Sequence, residues 1–412
     1  MNNEESRAIF LQTLNDPHTI RSQSHRMLAL AKANKLEHFS FNQEQMIPTA
    51  SFIIEVIEKN YPNLDIPYHS RWRHFEAGKS DRIGALLNQN AHLSPIEKGQ
   101  ILYELAILSV FLDAGAGALW QFKEAHTGTV YTRSEGLALA SLNLYQSGAL
   151  SASESNPFRI DAERLIAFTD EQLSHHFQVS SQNPLEGIKG RVALLNKLGQ
   201  LMQQKPEFFG EEARLGSFYS FINTLTSHNT MSALTLFQSV LKAFNEIWPT
   251  RLTYHGVSLG DVWTHHALKN DEPGSEYIPF HKLSQWLTYS LIEPLELSGI
   301  SVTSLDALTG LPEYRNGGLL IDMNLLQVND ASALLKPHDP GSEMIVEWRG
   351  LTVALLDELA KLIRQQLNLD SQSLPLAKIL QGGTWDAGRQ IARQKRPDGT
   401  PPIQIISDGT IF

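Results

Sequence analysis

The chain has 412 residues, of which 42% are hydrophobic and 19% charged, and its formal net charge at pH 7 is −10. This composition excludes disordered and fibrous classes, and the length is enough to bury a core without disulfides or a structural metal. The absence of cysteine excludes disulfides, thiolate metal sites and thiol nucleophiles, and the acidic balance argues against a nucleic-acid partner.

The N-terminal segment lacks the basic region and apolar stretch of a signal peptide. No apolar run reaches the roughly 20 residues needed to span a bilayer. We therefore expect a cytoplasmic protein that does not contact membranes.

Helical patterns dominate the chain. Residues 94–111 begin with Ser94 as N-cap, Pro95 at the first helical position and Glu97 completing a capping box. Further helices are predicted over 156–177, 183–202 (capped by Asn183), 231–248 and 348–367. Short strands are predicted at 318–326 and 401–412. We expect a mainly α protein, a large helical domain with a few short β-strands. It forms a single helical catalytic unit over 1–412, either undivided or in two lobes, about 1–150 and 151–412, around a cleft.

The stretch SRWRHFEAGKSDR (70–82) combines charges with aromatic rings. Pro67 disfavours a helix just before it, so the segment is predicted to be extended, with Arg71 and Arg73 on one face. Two guanidinium groups on one face suit a phosphate, whereas internal ion pairs on a solvated loop are the alternative. The predicted substrate-binding residues of this stretch are Arg71, Arg73, Glu76, Lys79 and Arg82.

Other charged residues lie in turns rich in glycine and aromatic residues, away from the polar helix faces where charges usually lie. Each alone is also typical of a solvated acid or a structural ion pair. The candidates for substrate binding are Asp113, Trp120, Glu135, Trp263, His265, Tyr314, Arg315, Glu347, Arg349 and Asp408, and the candidate carboxylates for catalysis are Asp261, Asp306 and Glu313.

No metal or cofactor motif is present, since the chain contains no GxxxxGK[ST], HExxH or GxSxG sequence. Histidine pairs occur at 175–176 and 265–266. Adjacent residues on a helix point about 100° apart, so a pair cannot easily share one ion. The sequence thus predicts no metal and no cofactor.

Eight segments carry a resemblance that spans nearly the whole chain. They are RWRHFEAGKSDR, LDAGAGALW, SEGLALASLNLY, NPLEGIKGRVALL, LGDVWTHHAL, LPEYRNGGLLID, VEWRGLTVALLDEL and SDGTIF. Together they resemble the uracil-catabolism (URC pathway) family of fungi and bacteria, formerly of unknown function. That resemblance implies a pathway in which uracil becomes its 5′-monophosphate, a GTP cyclohydrolase II-like enzyme opens the ring, and urea leaves a ribosylurea-type intermediate.

A second resemblance concerns residues 305–365. LPEYRNGGLL and the helix start VEWRG are similar to the queuosine-salvage nucleotide N-glycosidases, which are helical and resemble DNA glycosylases. Glu313 takes the place of the Asp in that family's acid-Tyr-Arg turn, which is a departure from its pattern.

These resemblances imply a hydrolase that cleaves the N-ribosyl or ureide bond of a 5′-phosphorylated, ring-opened uridine. Glu313, Asp306 and Asp261 would act as the catalytic carboxylates. The substrate would be a small phosphorylated compound derived from a nucleoside. Trp72, Trp120 and Trp263 would form the wall around its sugar or ureide. The phosphate would be bound by Arg71, Arg73, Lys79, Arg82 and Arg315.

Two alternatives stay open. One is a metal-dependent ureide amidohydrolase. The other is a non-catalytic partner or product carrier of the ring-opening enzyme, with which the chain would associate.

Overall fold

The computed structural model describes residues 3–249 and 251–406, and it is mainly helical, as predicted. The α-helices are α1 (Asn3–Leu14), α2 (Pro17–Lys32), α3 (Met46–Asn60), α4 (Trp72–Phe75), α5 (Arg82–Gln89), α6 (Pro95–Phe111), α7 (Arg133–Gln146), α8 (Ala162–Ile166), α9 (Asp170–His176), α10 (Ile188–Gln204), α11 (Pro206–Phe209), α12 (Ser217–Thr224), α13 (Ala233–Phe244), α14 (Lys282–Leu297), α15 (Tyr314–Asp322), α16 (Glu343–Leu367), α17 (Leu376–Ile379) and α18 (Trp385–Lys395).

The strands are two or three residues long and pair two by two. They are β1 (Phe39–Phe41), β2 (Gln121–Lys123), β3 (Val130–Thr132), β4 (Thr230–Ser232), β5 (Thr253–Tyr254), β6 (Val257–Ser258), β7 (Val262–Thr264), β8 (Tyr277–Pro279), β9 (Ser301–Thr303) and β10 (Leu326–Val328). Over the described part of the chain, no helix combines the length and apolar character that crossing a membrane requires.

The chain divides into two units, each assembled from separate segments. Unit 1 comprises Met1–His69, Trp248–Gln285 and Ser304–Phe412, and unit 2 comprises Ser70–Ile247 and Trp286–Thr303. The two units are defined by their internal contacts, and each combines segments that are distant in the sequence. The predicted division into lobes near residue 150 stays a prediction.

Unit 1 is organised around α16, which is buried along most of its 25 residues. Helices α2 and α3 pack against it, and α15 packs against α18. The strand pairs β1–β10, β5–β6 and β7–β8 are antiparallel. Because α16 is buried along most of its length, its buried charged side chains Glu347, Arg349 and Asp357 need polar partners inside the unit.

Unit 2 is organised around α6, which packs against α7 and α12, while α10 packs against α8. β2 and β3 are antiparallel, and β4 and β9 are parallel. The predicted capping box of α6 is confirmed: the Glu97 amide donates to the Ser94 hydroxyl, and the Glu97 carboxylate accepts from the Ser94 amide.

Three of the predicted helices and strands have the wrong type or the wrong bounds. Residues 318–326 are mostly the end of α15, and only Leu326 belongs to a strand. The helix over 156–177 is broken between α8 and α9, where Thr169 caps a new helix. α10 begins at Ile188 after Gly187, whose φ of 74° is a left-handed conformation that glycine favours, so Asn183 is not its cap.

Candidate functional site

In unit 1 a buried ion pair joins the start of β7 to α16. Arg349 binds Asp261 through two parallel contacts, Nη1 to Oδ1 and Nη2 to Oδ2, both 2.7 Å. Trp263 Nε1 donates to the first oxygen at 2.8 Å, and the Lys282 amide donates to the second at 2.9 Å. Burial opposes ionisation, but the Arg349 charge and these hydrogen bonds outweigh it and hold the pKa of Asp261 below its usual value. The predicted residues Asp261, Trp263 and Arg349 therefore lie in direct contact.

Glu313, another predicted catalytic carboxylate, has a pKa shifted in the opposite direction to that of Asp261. It is the N-cap of α15, where its oxygens accept from the amides of Arg315 at 2.8 Å and Asn316 at 2.5 Å. Burial raises the pKa of Glu313 above its usual value, although these amides and the charges of Lys282 and Arg315 oppose the shift. A carboxyl group that retains its proton at higher pH is suited to general acid catalysis.

Lys282, at the start of α14, links the two carboxylates. Its amide donates to Asp261, and its charge acts on Glu313. Its neighbour His281 is buried, with Nε2 3.0 Å from the Leu14 carbonyl oxygen. Burial lowers the pKa of His281, with Asp261 opposing the shift, so the neutral ring is favoured. A small open pocket of about 20 Å³ beside Asp261 is lined by Trp248, Pro249, Arg251, Gly260, Asp261, His281, Leu283 and Ser284.

The other predicted residues of unit 1 have structural partners. Asp306 accepts from Arg364 Nη2 at 2.6 Å and from the Leu376 amide at 2.8 Å. Arg315 donates to the Gly399 carbonyl, and its guanidinium lies 5.0 Å from the ring centre of Tyr314. Asp408 lies outside the described residues.

His265 and Glu347 form a separate buried contact in unit 1. His265 Nε2 is 3.4 Å from Glu347 Oε2, and both side chains are fully buried. The other oxygen of Glu347 accepts from the amides of His38 and Phe39. Glu347 therefore fixes the start of β1 and lies beside the His265 ring.

In unit 2 the predicted residues Arg71, Asp113 and Glu135 are brought together. Arg71 is fully buried; its Nη1 is 2.7 Å from Asp113 Oδ1, and its Nε donates to Ser109 at 2.8 Å. Burial lowers the pKa of Arg71, while the charges of Asp113 and Glu135 oppose this shift. Nη2 of Arg71 is buried without a hydrogen-bond partner among the described residues, so it has a donor left for a ligand oxygen.

Arg73 occupies a different position from the predicted one. Residues 72–75 form α4, so the expectation that Arg71 and Arg73 share one face of an extended segment was wrong. Arg73 instead binds the carboxylates of Glu76 and Glu293, and Ser70 donates to Glu293 at 2.7 Å. Burial raises the pKa of Glu293 to about 6, with Arg73 opposing. Nothing in the sequence singled out Glu293, which sits more than 200 residues along the chain from Arg73.

Arg191 is a second residue that sequence reasoning missed. It donates to the carbonyls of Leu112, Ala114 and Gly115, in the turn that carries Asp113. Burial lowers its pKa to about 10. It lies on α10, inside an ordinary helical pattern, so no local signal distinguished it.

The remaining residues of unit 2 do not join these contacts. Arg82 binds Glu124 through two contacts of 2.5 and 2.8 Å and donates to two backbone carbonyls. Trp120 is buried and donates to the Phe177 carbonyl at 2.9 Å. Lys79 is exposed. The roles predicted for all of these residues in substrate binding stay predictions.

Comparison with known proteins places the chain in a family. The model of the family described as "Protein of unknown function (DUF1688)" matches residues 13–412. The chain belongs to this family. "Protein urg3" of Schizosaccharomyces pombe is 36% identical over 402 residues, which cover 95% of this chain and 96% of the relative. "Uracil catabolism protein 4" of Lachancea kluyveri is 36% identical over 408 residues, which cover 91% and 92%.

The match to the DUF1688 family over residues 13–412 confirms the resemblance to the uracil-catabolism family. Both units lie almost entirely within the matched range, so the Asp261–Arg349 pair and the Arg71–Asp113 pair are parts of the family domain. The resemblance of residues 305–365 to queuosine-salvage N-glycosidases stays a prediction.

Proposed function

We propose that this chain takes part in uracil catabolism as a hydrolase of the N-ribosyl bond in a 5′-phosphorylated ribosylurea-type intermediate. One molecule of water replaces the ureide nitrogen on C1 of the ribose. The C1–N bond breaks, a C1–O bond forms, and a proton passes to the leaving nitrogen, which departs as urea. The place in uracil catabolism rests on the relative named for that process.

The single observation that supports this chemistry best is the state of Glu313. Burial favours its protonated form, and α15 fixes its carboxyl group through two backbone amides. Glycosidic bonds break through a transition state with positive charge on the sugar, and the leaving nitrogen must gain a proton. In our proposal Glu313 supplies that proton.

Asp261 has a different role in this proposal. Each of its oxygens already accepts two hydrogen bonds, so it is not available as a nucleophile. Its position between Arg349 and the Lys282 amide makes it a positioning residue, which fixes the start of α14 and so the Lys282 charge beside Glu313.

The test is a comparison of two capping carboxylates. Purified protein is mixed with ribosylurea 5′-phosphate, and urea and ribose 5-phosphate are followed by mass spectrometry. General acid catalysis is worth about 10²–10⁴-fold, so Glu313→Gln should reduce kcat by that factor. Asp16 caps α2 in the same way, and Asp16→Asn should leave kcat unchanged because asparagine caps equally well.

The pH dependence adds a second readout. A general acid acts only when protonated, so kcat should fall as the pH rises through the elevated pKa of Glu313. If Glu313→Gln turns over at the wild-type rate, with the same pH profile, this assignment is wrong.

A further inference from the structure

The geometry points to a binding site for a divalent transition-metal ion, of which Zn²⁺ is the representative, formed by His265, His266 and Glu343. One ring nitrogen from each histidine and one carboxylate oxygen of Glu343 all lie within 4.8 Å of one another. Two imidazoles and a carboxylate are a donor set that zinc sites use, with a fourth position left for water.

The histidine pair at 265–266 does not have the helical geometry that would keep its two rings apart. His265 has φ −139° and ψ 128°, which is extended backbone. The two rings are consequently nearly parallel, with an angle of 19° and ring centres 5.1 Å apart. The helical pair His175 and His176 shows the contrast, since its rings meet at 75°.

A second observation concerns the buried side of the site. His265 Nε2 and Glu347 Oε2 are both buried without a hydrogen-bond partner among the described residues, and they face each other at 3.4 Å. Histidines that bind metals commonly direct their other nitrogen to a carboxylate, which orients the ring. Glu347 stands in that relation to His265. The remaining nitrogen, Nδ1, accepts a 3.2 Å hydrogen bond from the Ala267 amide, which an ion would displace.

The solvent side of the site is open to an entering ion. The side chains of His266 and Glu343 are 58% and 42% exposed, and His266 Nδ1 lies 2.6 Å from Glu343 Oε2. An ion between these atoms would replace that hydrogen bond by two coordinate bonds. The exposed side chains have room to adjust to the ion, whereas the side chains of His265 and Glu347 are fully buried.

The site would connect the same two elements as the Asp261–Arg349 pair. His265 and His266 follow β7, at whose start Asp261 lies, and Glu343 is the first residue of α16, which carries Arg349. A bound ion would therefore stabilise the contact between β7 and α16 from its other end. This inference does not depend on the proposed reaction, because it concerns binding of the metal alone.

The experiment measures metal binding by the full-length, untagged chain. Protein stripped with a chelator is titrated with Zn²⁺ in competition with a chromophoric chelator, and with Co²⁺ while its visible absorption is recorded. We expect one high-affinity ion per chain. We also expect the visible spectrum of Co²⁺ to be that of a four-coordinate ion. Glu347→Gln should weaken affinity about 10–100-fold, and His266→Ala or Glu343→Gln should weaken it further.

The control is the other histidine pair. His176→Ala removes a partly exposed histidine from a helical pair and should leave affinity and stoichiometry unchanged. His266 and Glu343 are exposed, so their variants should fold, which circular dichroism verifies. The inference is overturned if the wild-type chain binds no ion stoichiometrically, or if His266→Ala and Glu343→Gln bind it as tightly as the wild type.

Discussion

Burial opposes the ionisation of three carboxylates, Asp261, Glu313 and Glu293. Asp261 receives two contacts from one guanidinium, and its pKa is lowered. Glu313 receives only backbone amides and more distant charges, and its pKa is raised. Glu293 shares Arg73 with Glu76, and its pKa is raised to about 6. The geometry of the partner cation therefore decides which acid stays charged.

Glu293 gives a prediction about the pH dependence of stability. The pKa of Glu293 is about 6 in the folded chain, and its ordinary value is 4.5. Between pH 4.5 and 6 the folded state therefore binds more protons than the unfolded state. Its contribution to the free energy of unfolding is greatest below about pH 4.5 and is lost as the pH rises through about 6. Glutamine does not titrate, so the Glu293→Gln variant should not lose unfolding free energy in this way as the pH rises.

Urea denaturation at pH 4.5 and pH 7.5 measures the effect. Relative to the wild type, the Glu293→Gln variant should gain about 2 kcal/mol of unfolding free energy between the two pH values. A difference between the two proteins that stays constant with pH would contradict the raised pKa.

Arg82 and Glu124 give a prediction about a buried ion pair. Both side chains are at most 11% exposed, and two hydrogen bonds join them. Removing one partner leaves the other charge buried, so Arg82→Met and Glu124→Gln should each lower the unfolding free energy by about 3 kcal/mol.

A double-mutant cycle provides the measurement for this pair. The double variant should lose clearly less than the sum of the single variants, because it leaves no unpaired charge. The exposed pair Lys361–Glu358 is the control, and its coupling should stay below about 1 kcal/mol. Equal coupling in the two cycles would show that burial of the Arg82–Glu124 pair has no effect.

At the scale of elements, the packing of α18 against α15 sets the position of Glu313. A Cβ atom on Gly388 of α18 would lie 2.3 Å from the carbonyl oxygen of Arg315, in the first turn of α15. Backbone cannot move aside as a side chain can. The close approach of these helices therefore requires glycine at 388.

Two helical glycines give predictions of opposite sign. Gly388→Ala should lower the unfolding free energy by about 1–3 kcal/mol, and it should reduce kcat by displacing the start of α15. Gly190 lies in α10, where a Cβ atom would have no other atom within 4 Å, so Gly190→Ala should raise the unfolding free energy by up to about 1 kcal/mol. Urea denaturation tests both, and equal effects would contradict the close approach.

The sequence predicts elements well where the signal is local. The α6 capping box depends on residues three apart, and it was found. The pattern over 318–326 predicts a strand because the end of a buried helix and a buried strand have similar patterns over nine residues. The break at Thr169 carries a local signal, a capping box with Gln172, but the continuous apolar spacing across it predicts one helix. The start at Ile188 follows Gly187, whose left-handed backbone a sequence pattern does not reveal.

The candidate site could be predicted only in part for a related reason. Asp261 and Arg349 are each candidates because a charge in an aromatic-rich turn is unusual, but nothing in the sequence pairs them across 88 residues. Lys282, Glu293 and Arg191 lie in ordinary helical patterns, and long-range packing alone brings them to their partners. The helical geometry assumed for the histidines at 265–266 does not apply there, because the backbone of His265 is extended.

At the scale of the whole molecule, unit 1 contains the groups to which we assign the chemistry. Its three segments are tied by buried polar contacts: Glu347 accepts from the His38 and Phe39 amides, and Arg349 binds Asp261. Unit 2 contributes a separate buried cation, Arg71, with a donor left for a ligand. We propose that the family domain uses the groups of unit 1 to break an N-ribosyl bond.

The products of the reaction decide whether this proposal is correct. Wild-type protein is incubated with ribosylurea 5′-phosphate, and all products are identified by mass spectrometry and an ammonia assay. Cleavage of the N-ribosyl bond should give equal amounts of urea and ribose 5-phosphate and no ammonia. Ammonia with a ribosylamine phosphate, or an unchanged substrate, would contradict it.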